Sequence, residues 1–162
     1  MKLSQKVNSA INNQIKNEFD NAFLYLSIAT WCENNNLSGF AKWNLAQFKE
    51  EQEHAMKFYN YVFERQGTVK IMNVKQPQNQ WSNIIEVFEY IIKKEEETTK
   101  NIYELYRIAQ EENDYTTMTF LQWYLNEQIE EEATANSILN KLKVNKDSIS
   151  AIMFIDTEIG KR

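Results

Sequence analysis

Residues Glu50-Glu51-Gln52-Glu53-His54 lie within residues 40–66, a stretch with regular helical spacing of apolar side chains and no proline. This pattern predicts one long helix. Because a helix turns about 100° per residue, Glu51 shares its face with a set of aromatic and aliphatic residues. They are Phe40, Trp43, Ala55, Phe58, Tyr61 and Val62. His54, three residues after Glu51 and the only histidine of the chain, lies on the same face.

An acidic side chain on an apolar face needs a physical explanation. Burying a carboxylate without a partner costs several kcal/mol, so the group must be paired, protonated or bound to metal. A buried hydrogen bond between Glu51 and His54 would satisfy it, and so would a metal ion. A third interpretation is a solvated acidic run at the edge of the apolar face. This stretch alone leaves the three open.

The composition predicts a helical globular domain over residues 1–162. The chain has 43% hydrophobic residues, 13% aromatic residues, three glycines and one proline. This length can form a single core, and so few turn residues favour long helices. A net charge of −5 argues against a dedicated nucleic-acid surface. The acidic balance suits a protein that handles cations.

The compartment is predicted from what the chain lacks. Cys32 is the only cysteine, so no internal disulfide can form, and a reducing compartment fits. The N-terminal residues contain no apolar run of signal-peptide length. No stretch approaches the ~20 apolar residues of a membrane span. We expect a cytoplasmic protein without membrane contact.

Four long helices and a short fifth are predicted along the chain. Ser4 caps the first helix, which ends at the asparagine run 34–36, and the second runs from 38 to about 66. The third begins near Ser82, and Asn113 or Asp114 caps the fourth. We expect the bundle to span about 4–143. A final helix over about 147–160 is capped by Ser148.

The connections predict how these helices pack. The first connection is short, so the first two helices should be antiparallel neighbours. Residues 67–80 include Pro77 and have no helical period. A segment of this length can run along a whole bundle, which predicts a long crossover between helices two and three.

Each long helix carries one glutamate on its apolar axis, near its middle: Glu18, Glu51, Glu95 and Glu131. Helices of roughly 28 residues are ~42 Å long, and antiparallel packing brings their midpoints to one level. Four carboxylates cannot all stay ionised in a dry core without counter-charge. No lysine or arginine lies on the central part of these faces. We therefore expect metal ions; oxygen-rich ligands with one imidazole suit iron, with manganese and zinc as competitors.

The chain resembles the bacterial non-haem ferritins over essentially its whole length. The matching segments are Asn17-Glu18 with Tyr25 downstream, Glu50-Glu51-x-x-His54, Glu95, Phe120-Leu121-Gln122-Trp123-Tyr124, Glu127-Gln128-x-Glu130-Glu131 and Phe154-Ile155-Asp156. Ferritin-like carboxylate bundles place one glutamate on each of two helices and Glu-x-x-His on the other two. The fourth helix departs from this pattern, because it reads Gln128-x-x-Glu131 and the chain has no second histidine.

The resemblance implies an all-α, ferritin-like four-helix bundle and assigns its acidic residues to three iron sites. Glu18, Glu51 and His54 match the first site. Glu51 as a bridge, with Glu95 and Glu131, matches the second, and Gln128 would lie beside it. Glu50, Glu127 and Glu130 match the third. Because the second site would be nearly all oxygen, we expect it to bind iron more weakly and transiently than the first.

The implied function is iron storage with ferroxidase activity. Two ferrous ions bridged by Glu51 would each give one electron to dioxygen or hydrogen peroxide, so the iron is non-haem. Tyr25 matches a family tyrosine that hydrogen-bonds near the site and can supply an electron; Trp123 is a packing residue or a secondary donor. The resemblance further implies a hollow shell of 24 subunits that holds ferric mineral, with the last segment lining a four-fold pore.

Other interpretations stay open from the sequence. Haem-binding bacterioferritin carries a methionine two residues before the histidine, where this chain has Gln52, and also a second Glu-x-x-His. DNA-protecting mini-ferritins place their metal between subunits and often have basic tails. Rubrerythrin-like peroxidases normally add a cysteine-rich iron domain, which one cysteine cannot form. A metal-free helical interaction module is the alternative from a different class.

Overall fold

The computed structural model describes residues 2–161 and shows an all-helical chain, as predicted. Five helices form along it: α1 (Gln5–Asn34), α2 (Ser38–Glu64), α3 (Ile84–Glu111), α4 (Tyr115–Val144) and α5 (Ile149–Ile159). No strand occurs among the described residues. Met1 and Arg162, the ends of the domain predicted over 1–162, lie outside them. None of the described helices is both long and apolar enough to cross a membrane.

Short polar side chains begin four of the helices. The side chains of Ser4, Asp114 and Ser148 each accept a hydrogen bond from the backbone N–H three residues later. α3, predicted to begin near Ser82, begins at Ile84, and the side chain of Asn83 accepts from the backbone N–H groups of Ile85 and Glu86. These bonds satisfy N–H groups that have no partner within a helix. Asp114 is thereby the cap of α4.

The long helices pack antiparallel in pairs. Leu3, just before α1, donates its backbone N–H to the carbonyl of Arg65, just after α2. Lys143 near the end of α4 pairs with Glu89 near the start of α3 at 2.7 Å. Arg65 also donates two bonds of 3.0 Å to Asp114, which joins the end of α2 to the start of α4. The helix midpoints therefore lie at one level.

The crossover runs along α1, held by polar side chains spaced along that helix. The Asn8 and Asn12 amides bond the backbone of residues 68 and 70. Asp20 accepts from the backbone N–H of Lys75 at 2.7 Å, and Ser27 donates to the carbonyl of Gln78 at 2.7 Å. Segment 68–78 thus follows α1 in the same direction, as the predicted crossover requires, without forming a helix or strand.

Two hydrophobic clusters fill the bundle, one toward each end. One includes Tyr25, Trp43, Ile91 and Ala135, and the other includes Ile15, Phe58, Ile102 and Tyr124. Along each long helix, the predicted glutamate lies between the residues that belong to one cluster and the residues that belong to the other. The bundle is therefore apolar at both ends and carries its buried acids at mid-height.

The fifth helix docks on the start of α2 through a close backbone approach. The carboxylate of Asp156 is buried and accepts a hydrogen bond from the backbone N–H of Phe40 at 2.8 Å. A Cβ atom on Gly39 would lie 1.7 Å from the carbonyl oxygen of Asp156. Only glycine permits this packing. The apolar residues Ile149 and Phe154 remain exposed on the outside of α5.

Candidate metal centre

All four predicted glutamates are buried. The exposed fractions are 1% for Glu18, 2% for Glu51, 1% for Glu95 and 8% for Glu131. Among the described residues, the buried polar set contains no lysine or arginine. Residues 2–161 therefore supply no buried permanent cation to balance these acids, and an outside cation or protons must do so.

Glu18, Glu51 and His54 form a close group in which all three residues are buried. One ligand atom from each lies within 4.8 Å of the other two. Nδ1 of His54 is 3.7 Å from Oε2 of Glu51. Oε2 of Glu18 and Oε2 of Glu51 are buried and accept no hydrogen bond from the described residues. Buried oxygens of this kind normally have a partner, so the two atoms mark where a cation fits best.

Burial and repulsion by neighbouring carboxylates disfavour the ionised forms of Glu18 and Glu51. Burial, followed by the neighbouring carboxyl of Glu51, raises the pKa of Glu18 well above its usual value. Burial, followed by the charge of Glu95, likewise raises the pKa of Glu51. Without a cation, burial therefore shifts both carboxyls toward their protonated forms. A divalent ion would reverse this preference, because it stabilises the charged carboxylates.

Glu95 is held by hydrogen bonds from two other helices. The hydroxyl of Tyr25 donates to Oε1 of Glu95 at 2.5 Å, and the amide of Gln128 donates to Oε2 at 3.2 Å. Burial raises the pKa of Glu95, although these bonds lower it. Burial, followed by the charge of Glu95, raises the pKa of Tyr25 well above its usual value. Tyr25 therefore keeps its proton and acts as a donor.

Two buried amides that sequence reasoning missed also hold the acids. Nε2 of Gln14 donates to Oε1 of Glu18 at 2.8 Å, and Nε2 of Gln47 donates to Oε2 of Glu131 at 2.9 Å. Both glutamines are buried. The sequence contains one signal for them, because each lies four residues before a predicted ligand on the same helix face. Amides of this kind orient ligands and restrict which oxygen can reach a metal.

A second, outer group lies beside the first. Glu50, His54 and Glu127 also place one ligand atom each within 4.8 Å of one another, and both glutamates are half-buried. His54 is therefore common to the two groups. Glu130, predicted with Glu50 and Glu127, is exposed and lies outside both groups. Glu95 and Glu131 lie outside these two close groups as well.

Aromatic rings from α4 surround the imidazole. The ring of Trp123 lies 5.3 Å from that of His54, and the ring of Tyr124 lies 6.0 Å from it, both nearly perpendicular. The hydroxyl of Tyr124 donates to the carbonyl of His54 at 2.8 Å. This packing limits the rotation of the imidazole and keeps it at the junction of the two groups.

Comparisons with known proteins agree with this geometry. A family model described as a ferritin-like domain matches residues 8–144. A Bacteroides fragilis protein named bacterial non-heme ferritin is 38% identical over 160 residues, which is 99% of both chains. A Staphylococcus aureus protein of the same name is 35% identical over 99% of this chain and 96% of its own. The crystal structure of an open-pore ferritin from the hyperthermophilic archaeon Archaeoglobus fulgidus matches with a TM-score of 0.98, at 40% identity over 99% of both chains.

Proposed function

Because the chain belongs to the ferritin family, we propose that it oxidises ferrous iron within its bundle and stores the ferric product inside a shell of identical subunits. One observation carries the proposal. Four helices bury one glutamate each around mid-height, and the buried polar set of residues 2–161 contains no lysine or arginine. An acidic cluster of this kind is stable when ionised only if cations enter it. We further propose that residues 1–162 act as one ferritin-like domain.

Each predicted site residue takes a role in this proposal. Glu18, Glu51 and His54 hold the first ferrous ion, and the Glu51 carboxylate also binds the second ferrous ion. Glu95 and Glu131 complete the second position, where Gln128 orients Glu95. We propose that this second position binds iron more weakly than the first, because its ligands are nearly all carboxylate oxygens and include no imidazole. Glu50 and Glu127, with Glu130 at their exposed margin, form the third position.

The oxidation balances with two ferrous ions. Each gives up one electron, and the pair reduces dioxygen with two protons to hydrogen peroxide, or hydrogen peroxide with two protons to water. Carboxylate oxygens are hard ligands, so they stabilise the ferric product more than the ferrous substrate. The apolar clusters on both sides limit water around the site, which strengthens these electrostatic interactions.

Tyr25 is the residue that we propose as an additional electron donor. Its protonated hydroxyl already donates to Glu95 at 2.5 Å. When the ring gives an electron to dioxygen or hydrogen peroxide, the hydroxyl proton can pass to this carboxylate, so the oxidised ring carries no positive charge. The same bond orients Glu95 when no electron moves. Trp123, whose ring lies 5.3 Å from that of His54, is a secondary candidate.

The assembly is the second part of the proposal. The apolar outer surface of α5 and the names of the relatives support a shell, which we propose contains 24 copies and lies in the cytoplasm. The chain has a mass of 19.3 kDa, so such a shell would have a protein mass of about 460 kDa. Size-exclusion chromatography with light scattering measures this directly. Elution only as monomer or dimer would contradict the assembly.

Ferrous oxidation in air tests the chemistry. Absorbance near 300 nm should rise rapidly after ferrous ion is added to the native protein, and Glu51→Ala should slow the rise by roughly 100-fold or more, because both positions lose their shared ligand. Tyr25→Phe should slow later additions more than the first. Glu53→Ala, which alters an exposed glutamate of the same helix, is the matched control. Equal rates for Glu51→Ala and the native protein would refute the ferroxidase proposal.

A further inference from the structure

Lys57 interacts through its charge with Glu127, a member of the outer group of Glu50, His54 and Glu127. It follows His54 by three residues on α2, so both side chains share one helix face. Its Nζ atom lies 3.1 Å from the centroid of the Trp123 ring and 5.9 Å from that of Tyr124. A cation over an indole face is attracted by the ring, and this contact holds the half-buried side chain in place.

The outer group acts on this ammonium as well. Glu127 follows Trp123 by four residues on α4, so the carboxylate and the indole lie on one face. Burial lowers the pKa of Lys57, whereas the charge of Glu127 raises it. Lys57 is therefore attracted both by the indole ring and by a member of the outer group.

We propose that Lys57 is the built-in counter-cation of the outer group and that it keeps the affinity of this group for divalent ions low. The inference rests on the proposed function, in which Glu50 and Glu127 form the third iron position. In the absence of metal, the ammonium offsets part of the charge of the half-buried glutamates. When a divalent ion binds there, the ammonium repels it and loses the attraction of Glu127.

The consequence is a site that passes ions on instead of retaining them. His54 is common to the outer and inner groups, so an ion held weakly at Glu50 and Glu127 already lies beside the ligands of the buried centre. A tight outer site would compete with that centre for the imidazole. The positive charge of Lys57 favours the inner position, where four carboxylates are available and where residues 2–161 bury no lysine.

Anaerobic titration with ferrous ion, followed by calorimetry, tests this inference on the native assembled protein. The Glu127→Gln variant is titrated first, and the binding step that it loses is assigned to the outer group. Lys57→Met then removes the charge while keeping an unbranched side chain of similar length, and Lys57→Arg keeps the charge. Lys42→Met, which alters an exposed lysine of the same helix, controls for the change in net charge. Far-ultraviolet circular dichroism checks that each variant folds.

We expect Lys57→Met to bind the outer ion about fivefold more tightly, the upper end for a single charge pair near a surface. Lys57→Arg and Lys42→Met should match the native protein, and the inner steps should not change. Unchanged or weaker outer binding in Lys57→Met would overturn the inference while leaving the proposed function intact. If Glu127→Gln shows the same ferrous-binding steps as the native protein, the third iron position is wrong, and the role of Lys57 is refuted with it. Failure of Glu51→Ala to slow oxidation would be a separate result that refutes the ferroxidase proposal.

Discussion

Replacing Glu51 with glutamine should stabilise the metal-free protein and remove its stabilisation by metal. Oε2 of Glu51 is buried and accepts no hydrogen bond from the described residues, and burial raises the pKa of this carboxyl. Glutamine has nearly the same shape but never carries the charge. The native protein must either bury a negative charge or hold a proton on Glu51 against the solution pH, and Glu51→Gln does neither.

The size and pH dependence of this effect follow from the structure. An unpartnered buried charge costs more than the roughly 1–3 kcal/mol of a neutral polar group, and Glu51→Gln removes this extra cost, which we take as about 2 kcal/mol. For a chain of this length, about 2 kcal/mol corresponds to a rise in Tm of about 4–8 °C. Because folding raises the pKa above its usual 4.5, the Glu51 contribution to stability is complete below that pH and is lost as the pH rises. The advantage of Glu51→Gln should therefore be small near pH 5 and largest near pH 8.

Scanning calorimetry of chelator-treated protein at matched concentrations measures both effects. Zinc, which is redox-inert, should raise the Tm of the native protein at pH 8 and raise that of Glu51→Gln much less, because the shared ligand is lost. Glu53→Gln, which alters an exposed residue of the same helix, should behave like the native protein throughout. A metal-free Glu51→Gln protein that melts at or below the native temperature at pH 8 would refute the view that Glu51 is strained without a cation.

Two further predictions concern residues outside the ligand set. Gln14→Leu should weaken anaerobic ferrous binding by roughly tenfold, because Glu18 loses the amide that orients it. The control is Asn44→Leu, because the buried Asn44 amide donates to the Phe40 carbonyl and to no ligand among the described residues. Equal ferrous binding by the two variants would contradict this role of Gln14. Gly39→Ala should displace α5 and lower the free energy of unfolding by roughly 1–3 kcal/mol, because Asp156 loses its bond to the backbone. Chromatography and calorimetry would detect this, and an unchanged Tm with normal assembly would count against the packing of α5.

The helices and the buried acids could be predicted from local pattern. Apolar residues at helical spacing determined four long helices and a fifth, and the structure confirms this fold. The same spacing placed Glu18, Glu51, Glu95 and Glu131 on buried faces, because a residue's position on a helix depends only on its neighbours in the chain. The missing charge partners could also be read from the sequence, since no lysine or arginine occupies the central part of those faces.

The tertiary structure decided which side chains meet across helices. The bond from Gln47 on α2 to Glu131 on α4 depends on the rotation and axial offset of two helices far apart in sequence. The same offsets bring Glu127, but not Glu130, into the outer group beside Glu50 and His54. They also place the Lys57 ammonium over Trp123. Periodicity indicates which face of a helix is buried, whereas packing of the side chains between helices sets the height and angle at which two faces meet.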